Sequence, residues 1–182
     1  EPIMAPLFYH YEAPALRTDA PAFLIGPDLL VLPVVEPGAE TVEASLPDVP
    51  GGWHDLATGQ RFAGGARTLD APLSRLPILV RDGAILPLAT DWPVGAPHDA
   101  SAVALTLFAG ETGRSAREVT FDDGLGWAYR DDDLSRLACA AEWDRSIVRL
   151  TVEETATGRG RPALTLACAT LGDRSLETRG PG

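Results

Sequence analysis

Ile78-Leu79-Val80-Arg81-Asp82-Gly83-Ala84-Ile85-Leu86 sets a three-residue apolar run on each side of an Asp-Gly pair. Neither run is long enough for a helical turn pattern, and Asp-Gly between apolar runs is a strong tight-turn signal, so the stretch reads as two strands joined by a hairpin. The same grammar recurs outward from it. Trp53 to Leu56 and Gln60 to Phe62 flank Ala57-Thr58-Gly59, a second hairpin candidate. Phe23-Leu24-Ile25 runs into Gly26-Pro27-Asp28, where Gly supplies free φ and Pro fixes its own. Leu29 to Val35 is continuously apolar, as in a strand covered on both faces, and Pro33 within it implies an edge or a bulge. Thr41 to Leu46 alternates, with Val42, Ala44 and Leu46 inward.

Downstream, Val103, Leu105 and Leu107 share one face, and Val119 and Phe121 another. Leu137, Cys139, Ala141 and Trp143 form a third set, Val148, Leu150 and Val152 a fourth, and Leu164, Leu166 and Cys168 a fifth. Turn signals separate them at Gly110 to Gly113, Asp122-Asp123-Gly124 and Gly158-Arg159-Gly160. Leu134 to Trp143 could pass for a short helix, but nothing longer is amphipathic. The expectation is an all-β chain of two small antiparallel β-sandwich-type domains. Residues 89–101 carry Pro93, Gly95 and Pro97 with Trp92 and Val94 as their only sizeable apolar residues, which places the domain boundary there.

With 182 residues, 45% apolar and 23% charged, the chain can bury a core without disulfide staples. Its 18 glycines and 16 prolines suit many turns. All basic residues are Arg, and the formal charge of −11 repels nucleic acid and anionic membrane surfaces, so neither is an expected partner. No run approaches the ~20 apolar residues of a membrane span. No signal peptide is visible, and the chain opens on Glu1-Pro2-Ile3 without an initiator Met, as expected of a fragment whose natural N-terminus lies elsewhere. Cys139 and Cys168 read as buried free thiols, with a cross-strand disulfide as the alternative.

Few residues converge on chemistry. Paired-carboxylate acid/base chemistry needs two acids ~5 Å apart, and the acidic residues here fall mostly in turns or on polar strand faces. Asp122-Asp123-Gly124 reads as a turn without calcium-loop spacing, and Asp131-Asp132-Asp133 as a polar loop. His10, His54 and His98 belong to no nucleophile pattern, Gly64-Gly65 lacks a following Lys or helix, and two cysteines make no zinc site. No catalytic, metal or cofactor-binding residue is expected. Of four tryptophans, Trp143 is in phase with a core strand. Trp92 and Trp127 are the candidates for sugar or inter-domain contacts.

Four segments then carry a resemblance: Pro2 to Phe8, Phe23 to Val34, Gly52-Trp53-His54-Asp55-Leu56-Ala57-Thr58-Gly59, and Ala71 to Pro87. In this order and spacing they resemble the C-terminal β-part of glycoside hydrolase family 31, the α-glucosidase and α-xylosidase-like enzymes. Phe121-Asp122-Asp123-Gly124 with Tyr129 looks similar to the family's distal domain. Ala5 where the family usually has Arg, Ala20-Pro21-Ala22 in place of a polar stretch, and His54 in place of Tyr depart from the pattern. The resemblance implies 1–5 as a remnant of the catalytic barrel's end, 6–90 as the proximal C-terminal β-sandwich, 91–98 as a linker and 99–182 as the distal domain. It further implies a parent enzyme that hydrolyses α-glycosidic bonds in oligosaccharides with retention. The partner is then the missing (β/α)8 barrel of the same polypeptide, with the catalytic aspartates upstream of Glu1, so the fragment alone is expected to be inactive. The alternative is a stand-alone carbohydrate-binding or interaction module with Trp92 or Trp127 as its platform.

Overall fold

A computed structural model of the chain describes residues 2–12, 16, 21–89, 102–124, 126–160, 162–169 and 174–181. These are almost entirely strand and turn, with two short 3₁₀ turns at Leu7–Tyr9 and Ala128–Asp131. No helix among them is long and apolar enough to cross a membrane. The chain divides into two compact units, Glu1–Asp82 and Gly83–Gly182. The linker expected over 91–98 lies outside the described residues, and Trp92 with it.

The first unit faces a six-stranded sheet against a two-stranded one. The larger sheet is antiparallel throughout, in the order β1 (Met4–Pro6), β2 (Phe23–Ile25), β3 (Leu29–Val31), β8 (Ile78–Arg81), β5 (Trp53–Asp55), β6 (Arg61–Phe62). The smaller pairs β4 (Thr41–Leu46) with β7 (Gly65–Asp70). Between them lies a core of Leu24, Leu30, Ala44, Leu46, Trp53, Leu69 and Leu79. Alternation in β4 turns Ala44 and Leu46 inward as expected. The Ala57-Thr58-Gly59 turn does close the β5–β6 hairpin, with Gly59 at φ +71°, a conformation only Gly adopts cheaply. β3 stops at Val31, two residues before Pro33. Because β3 is central between β2 and β8, Pro33, which has no N–H to give a ladder, ends the strand rather than marking an edge or bulge.

The second unit packs a three-stranded sheet, β14 (Ala163–Cys168), β10 (Ala102–Leu107), β9 (Ile85–Ala89), against a four-stranded one, β11 (Gly113–Phe121), β12 (Ser135–Trp143), β13 (Ile147–Ala156), β15 (Ser175–Arg179). Val103, Leu105 and Leu107 meet Leu137, Cys139, Ala141, Trp143, Val148, Leu150 and Val152 in its core. The segment that could have passed for a helix is β12, whose every second residue is buried. Two pairings depart from the antiparallel expectation: β10 with β14 and β13 with β15 are parallel.

The Asp82-Gly83 turn does not close the expected hairpin. β8 pairs with β3 and β5, whereas β9 pairs with β10. Asp82 N–H donates to Gly52 O in the first unit, and Gly83 N–H donates to Phe108 O in the second. Long-range ladders claim both runs, so the tight-turn residues carry the chain from one sheet to another. Gly83, at φ +81°, leaves no comfortable room for a side chain, since an added Cβ would lie 3.1 Å from the Trp143 ring.

Candidate functional site

The charged residues most deeply placed in the first unit are matched in pairs along the central strands of the larger sheet. β5 is buried at all three positions, Trp53, His54 and Asp55. Trp53 is fully enclosed and its indole N–H donates to Pro47 O at 2.9 Å. Next to it, His54 Nε2 sits 2.7 Å from Asp82 Oδ1. Asp55 Oδ1 accepts the N–H groups of Ala57 and Thr58, both at 2.9 Å, which shapes the turn into β6. The Asp55 Oδ2 faces Arg75 Nη2 at 3.6 Å. On the other side of β8, Arg81 reaches Asp28 Oδ1 through Nε at 2.9 Å and Nη2 at 2.7 Å. Tyr11 lies near this pair. Burial pushes its phenol above the ordinary range, with Arg81 opposing and Asp28 adding to the shift.

Each of these buried carboxylates is thus matched by a cation, an imidazole or backbone donors, which is how a low-polarity interior tolerates charge. Glycoside hydrolysis, the reaction that the resemblance implies, would need something else: two facing carboxyls, one held protonated near neutral pH. Asp132 and Asp144 are instead held below the ordinary carboxylate range. Arg136 does this for Asp132; the Ser146 hydroxyl, then the backbone N–H groups of Ser146 and Ile147, do it for Asp144. Among the described residues no group of three or more His, Cys, Asp or Glu is placed to hold a metal ion. A cleft of about 500 Å³ between the 34–40 and 71–76 segments of the first unit is walled mainly by Val34, Val35, Pro37, Pro72, Leu73 and Leu76. Its lining is apolar, with Glu36, Glu40 and Arg75 as its charged members.

In the second unit, Trp143 is core and Trp127 is not: 65% of Trp127 is exposed. Tyr129 stands beside it, ring centroids 6.0 Å apart at 41°, and the Arg130 guanidinium lies over the indole at 4.1 Å from its centroid. Cys139 and Cys168 are both free thiols. Burial pushes the Cys139 thiol up to about 11.

Residues 1–86 match the sequence profile described as the glycosyl hydrolase family 31 C-terminal domain. The chain's first 86 residues thus carry the C-terminal domain of glycosyl hydrolase family 31. The chain is 30% identical over 165 residues to an alpha-glucosidase of Aspergillus oryzae, covering 87% of this chain and 16% of the relative. Over 81 residues it is 41% identical to a 1,3-alpha-isomaltosidase of Kribbella flavida, covering 44% of this chain and 11% of the relative. Among solved structures, the Flavobacterium johnsoniae GH31 dextranase complexed with glucose superposes with a TM-score of 0.77 at 27% identity, over 91% of this chain and 21% of the dextranase. The chain therefore spans between about a tenth and a fifth of the relatives it matches.

The family 31 segments named from sequence meet in the buried pairs. Asp28 comes from the second segment, His54 and Asp55 from the third, and Arg75, Arg81 and Asp82 from the fourth. From sequence these read as turn and strand-end residues, and their mutual pairing was missed. A signal was present: an apolar strand that carries His-Asp mid-run has to find partners for both. Gly52, which opens the third segment, and Gly51 just before it also acquire a reason. A side chain on Gly51 would strike the Asp82 carboxylate, and one on Gly52 the Phe62 carbonyl.

Proposed function

We propose that this chain is the C-terminal β-part of a retaining α-glycosidase that hydrolyses O-glycosyl bonds, and that it supports a catalytic (β/α)8 barrel borne elsewhere on the polypeptide. The observation that carries this reading is the outer face of β1 and β2. Period-two alternation puts Ala5 and Leu24 into the core and leaves Met4 and Ile25, which are cross-strand partners, facing outward. Ile3, Phe8 and Tyr9 of the same N-terminal segment are exposed as well. Large apolar side chains left exposed at a sheet edge suit a docking surface for another part of a protein. Each of these side chains is worth about 1.5–3 kcal/mol when fully buried. The relatives' names, alpha-glucosidase and 1,3-alpha-isomaltosidase, supply the reaction class.

The test uses two proteins. The full polypeptide carrying this chain hydrolyses an aryl α-glucoside and releases the α-anomer first, as NMR detects. The 182-residue chain alone does not turn it over. Changing Phe8 and Tyr9 to Ser lowers the unfolding temperature of the full polypeptide and leaves that of the isolated chain nearly unchanged. Turnover by the isolated chain that an Asp-to-Asn change within it abolishes would overturn the proposal.

A further inference from the structure

Among the described residues of the second unit, the exposed large apolar side chains are Trp127 and Tyr129 alone; Tyr129 is 44% exposed, and the others all lie in residues 1–82. The segment that bears them is tied down. Arg130 N–H donates to Trp127 O and Asp133 N–H to Ala128 O, closing the 3₁₀ turn. Arg159 holds the segment's far end, its backbone N–H on Asp133 Oδ1 at 3.1 Å and its Nε at 2.9 Å from Asp133 Oδ2, with Nη1 3.7 Å from Asp123. Ser135 Oγ donates to Gly158 O across the same junction. Arg130 is stacked on one indole face, and 65% of Trp127 still meets solvent. A bulky aromatic held rigid in water is a binding feature rather than a packing one, because little entropy remains to be lost when a ligand lands on it.

We propose that Trp127 and Tyr129 form a platform that holds the pyranose ring of a neutral gluco-oligosaccharide. The choice of glucose units rests on the proposed glycosidase reading, whereas the choice of a neutral sugar rests on the site. Two tilted rings make a shallow apolar face matched to the C–H face of a sugar. The Arg130 guanidinium can donate to sugar hydroxyls, and the exposed Asp131 carboxylate on the same turn can accept from them. A polypeptide partner needs about 800 Å² of surface per side, far more than two part-exposed rings supply. Anionic ligands meet a chain of charge −11.

The experiment titrates isomaltotriose, and separately maltotriose, into the ¹⁵N-labelled 182-residue chain while following the four indole N–H signals, with Trp127→Phe assigning its own. The Trp127 signal shifts and saturates at roughly millimolar sugar, while the Trp53 and Trp143 signals stay put. Trp127→Ala and Tyr129→Ala each weaken binding by about tenfold, the loss expected for one aromatic contact, with unchanged unfolding temperatures because both side chains are exposed. Sorbitol, a polyol without a ring, gives no saturating shift. No saturating shift below about 50 mM of either sugar, or equal affinity in Trp127→Ala, overturns the platform. So does a Trp127 signal already shielded from solvent in the full polypeptide without sugar. Hydrolysis by the full polypeptide is measured alongside: activity without binding defeats the platform only, and binding without activity defeats the glycosidase reading only.

Discussion

Trp53 and Trp143 are both core indoles, one in each unit, and differ in a single bond. Trp53 donates to the buried Pro47 carbonyl, whereas the Trp143 Nε1–H is buried with no hydrogen-bond partner among the described residues. Substitution by Phe removes an N–H from each and trims about the same apolar volume, worth about 1 kcal/mol in lost burial. At Trp53 the change also strands the Pro47 oxygen, which adds about 1–3 kcal/mol. At Trp143 it removes an orphaned donor, a gain of similar size that offsets the lost burial. Trp53→Phe is therefore destabilising by about 2–4 kcal/mol and Trp143→Phe by about 1 kcal/mol or less. For units of this size each kcal/mol moves the unfolding midpoint by roughly 4–8 °C, so Trp53→Phe drops the transition of its unit by at least about 8 °C. Scanning calorimetry on the two variants, with hydrogen exchange on β5 and β12 assigning each transition, reads the difference. Equal losses, or a larger loss at Trp143, would falsify the reasoning that hydrogen-bond satisfaction separates the two sites.

Two glycines of the first unit share φ +76°, Gly38 in open space and Gly51 against the Asp82 carboxylate. Gly38→Ala carries only the backbone strain, about 1 kcal/mol. Gly51→Ala adds displacement of the His54–Asp82 pair and falls at least about 1 kcal/mol lower in urea unfolding; equal costs would show that the pair tolerates the intrusion. Cys168, half-buried, reacts with a maleimide at pH 8 while Cys139 stays unlabelled until the chain unfolds, as mass spectrometry of timed samples reports. Because the Cys139 thiol is raised in the folded state to about 11 from an ordinary 9.0, the unfolded chain gives up that proton first. Its contribution to stability is present below pH 9 and is lost as pH rises towards 11. Cys139→Ala flattens that alkaline decline, and an unchanged slope would rule out this thiol as its source.

Much of the fold was legible because burial here obeys period two. Val42, Ala44 and Leu46 on β4, and Leu137 to Trp143 on β12, were assigned to a face from alternation alone and lie on it. The turns that a single Gly dictates, at Gly26, Gly59 and Gly124, were equally readable, because only Gly takes positive φ without strain. Partnership between distant strands was not legible. Asp82-Gly83 carries a hairpin's local chemistry, and nothing within nine residues says that Gly52 and Phe108 will claim the two flanking N–H groups. The parallel pairings of β14 and β15 were hidden for the same reason, since register between remote segments leaves no local mark. Trp127 was legible only as a candidate. What distinguishes it from Trp143, Arg130 on one face and solvent over the rest of the residue, exists only once the chain has folded.

The buried pairs explain why this stretch keeps charged residues where apolar ones would pack as well. Replacing a matched ion pair by well-packed apolar side chains is often neutral or stabilising, so stability alone does not account for Asp28, His54, Asp55, Arg81 and Asp82 in the middle of a sheet. What paired charges at set positions can add is register. β8 could slide against β3 or β5 by two residues and keep its apolar side chains inward, because Ile78, Leu79 and Val80 tolerate exchange of neighbours. Such a slide would part Arg81 from Asp28 and Asp82 from His54 at once, breaking two pairs whose carboxylates are almost fully buried. At about 1–3 kcal/mol for each buried polar group left unmatched, the slipped sheet lies well above the native one. The double change Asp82→Asn with His54→Gln, which keeps a neutral hydrogen bond in reach, is therefore expected to preserve the β5–β8 register. Asp82→Ala alone is expected to broaden the amide signals of β5 and β8. Sharp, native-like spectra from Asp82→Ala would mean that apolar packing sets the register unaided.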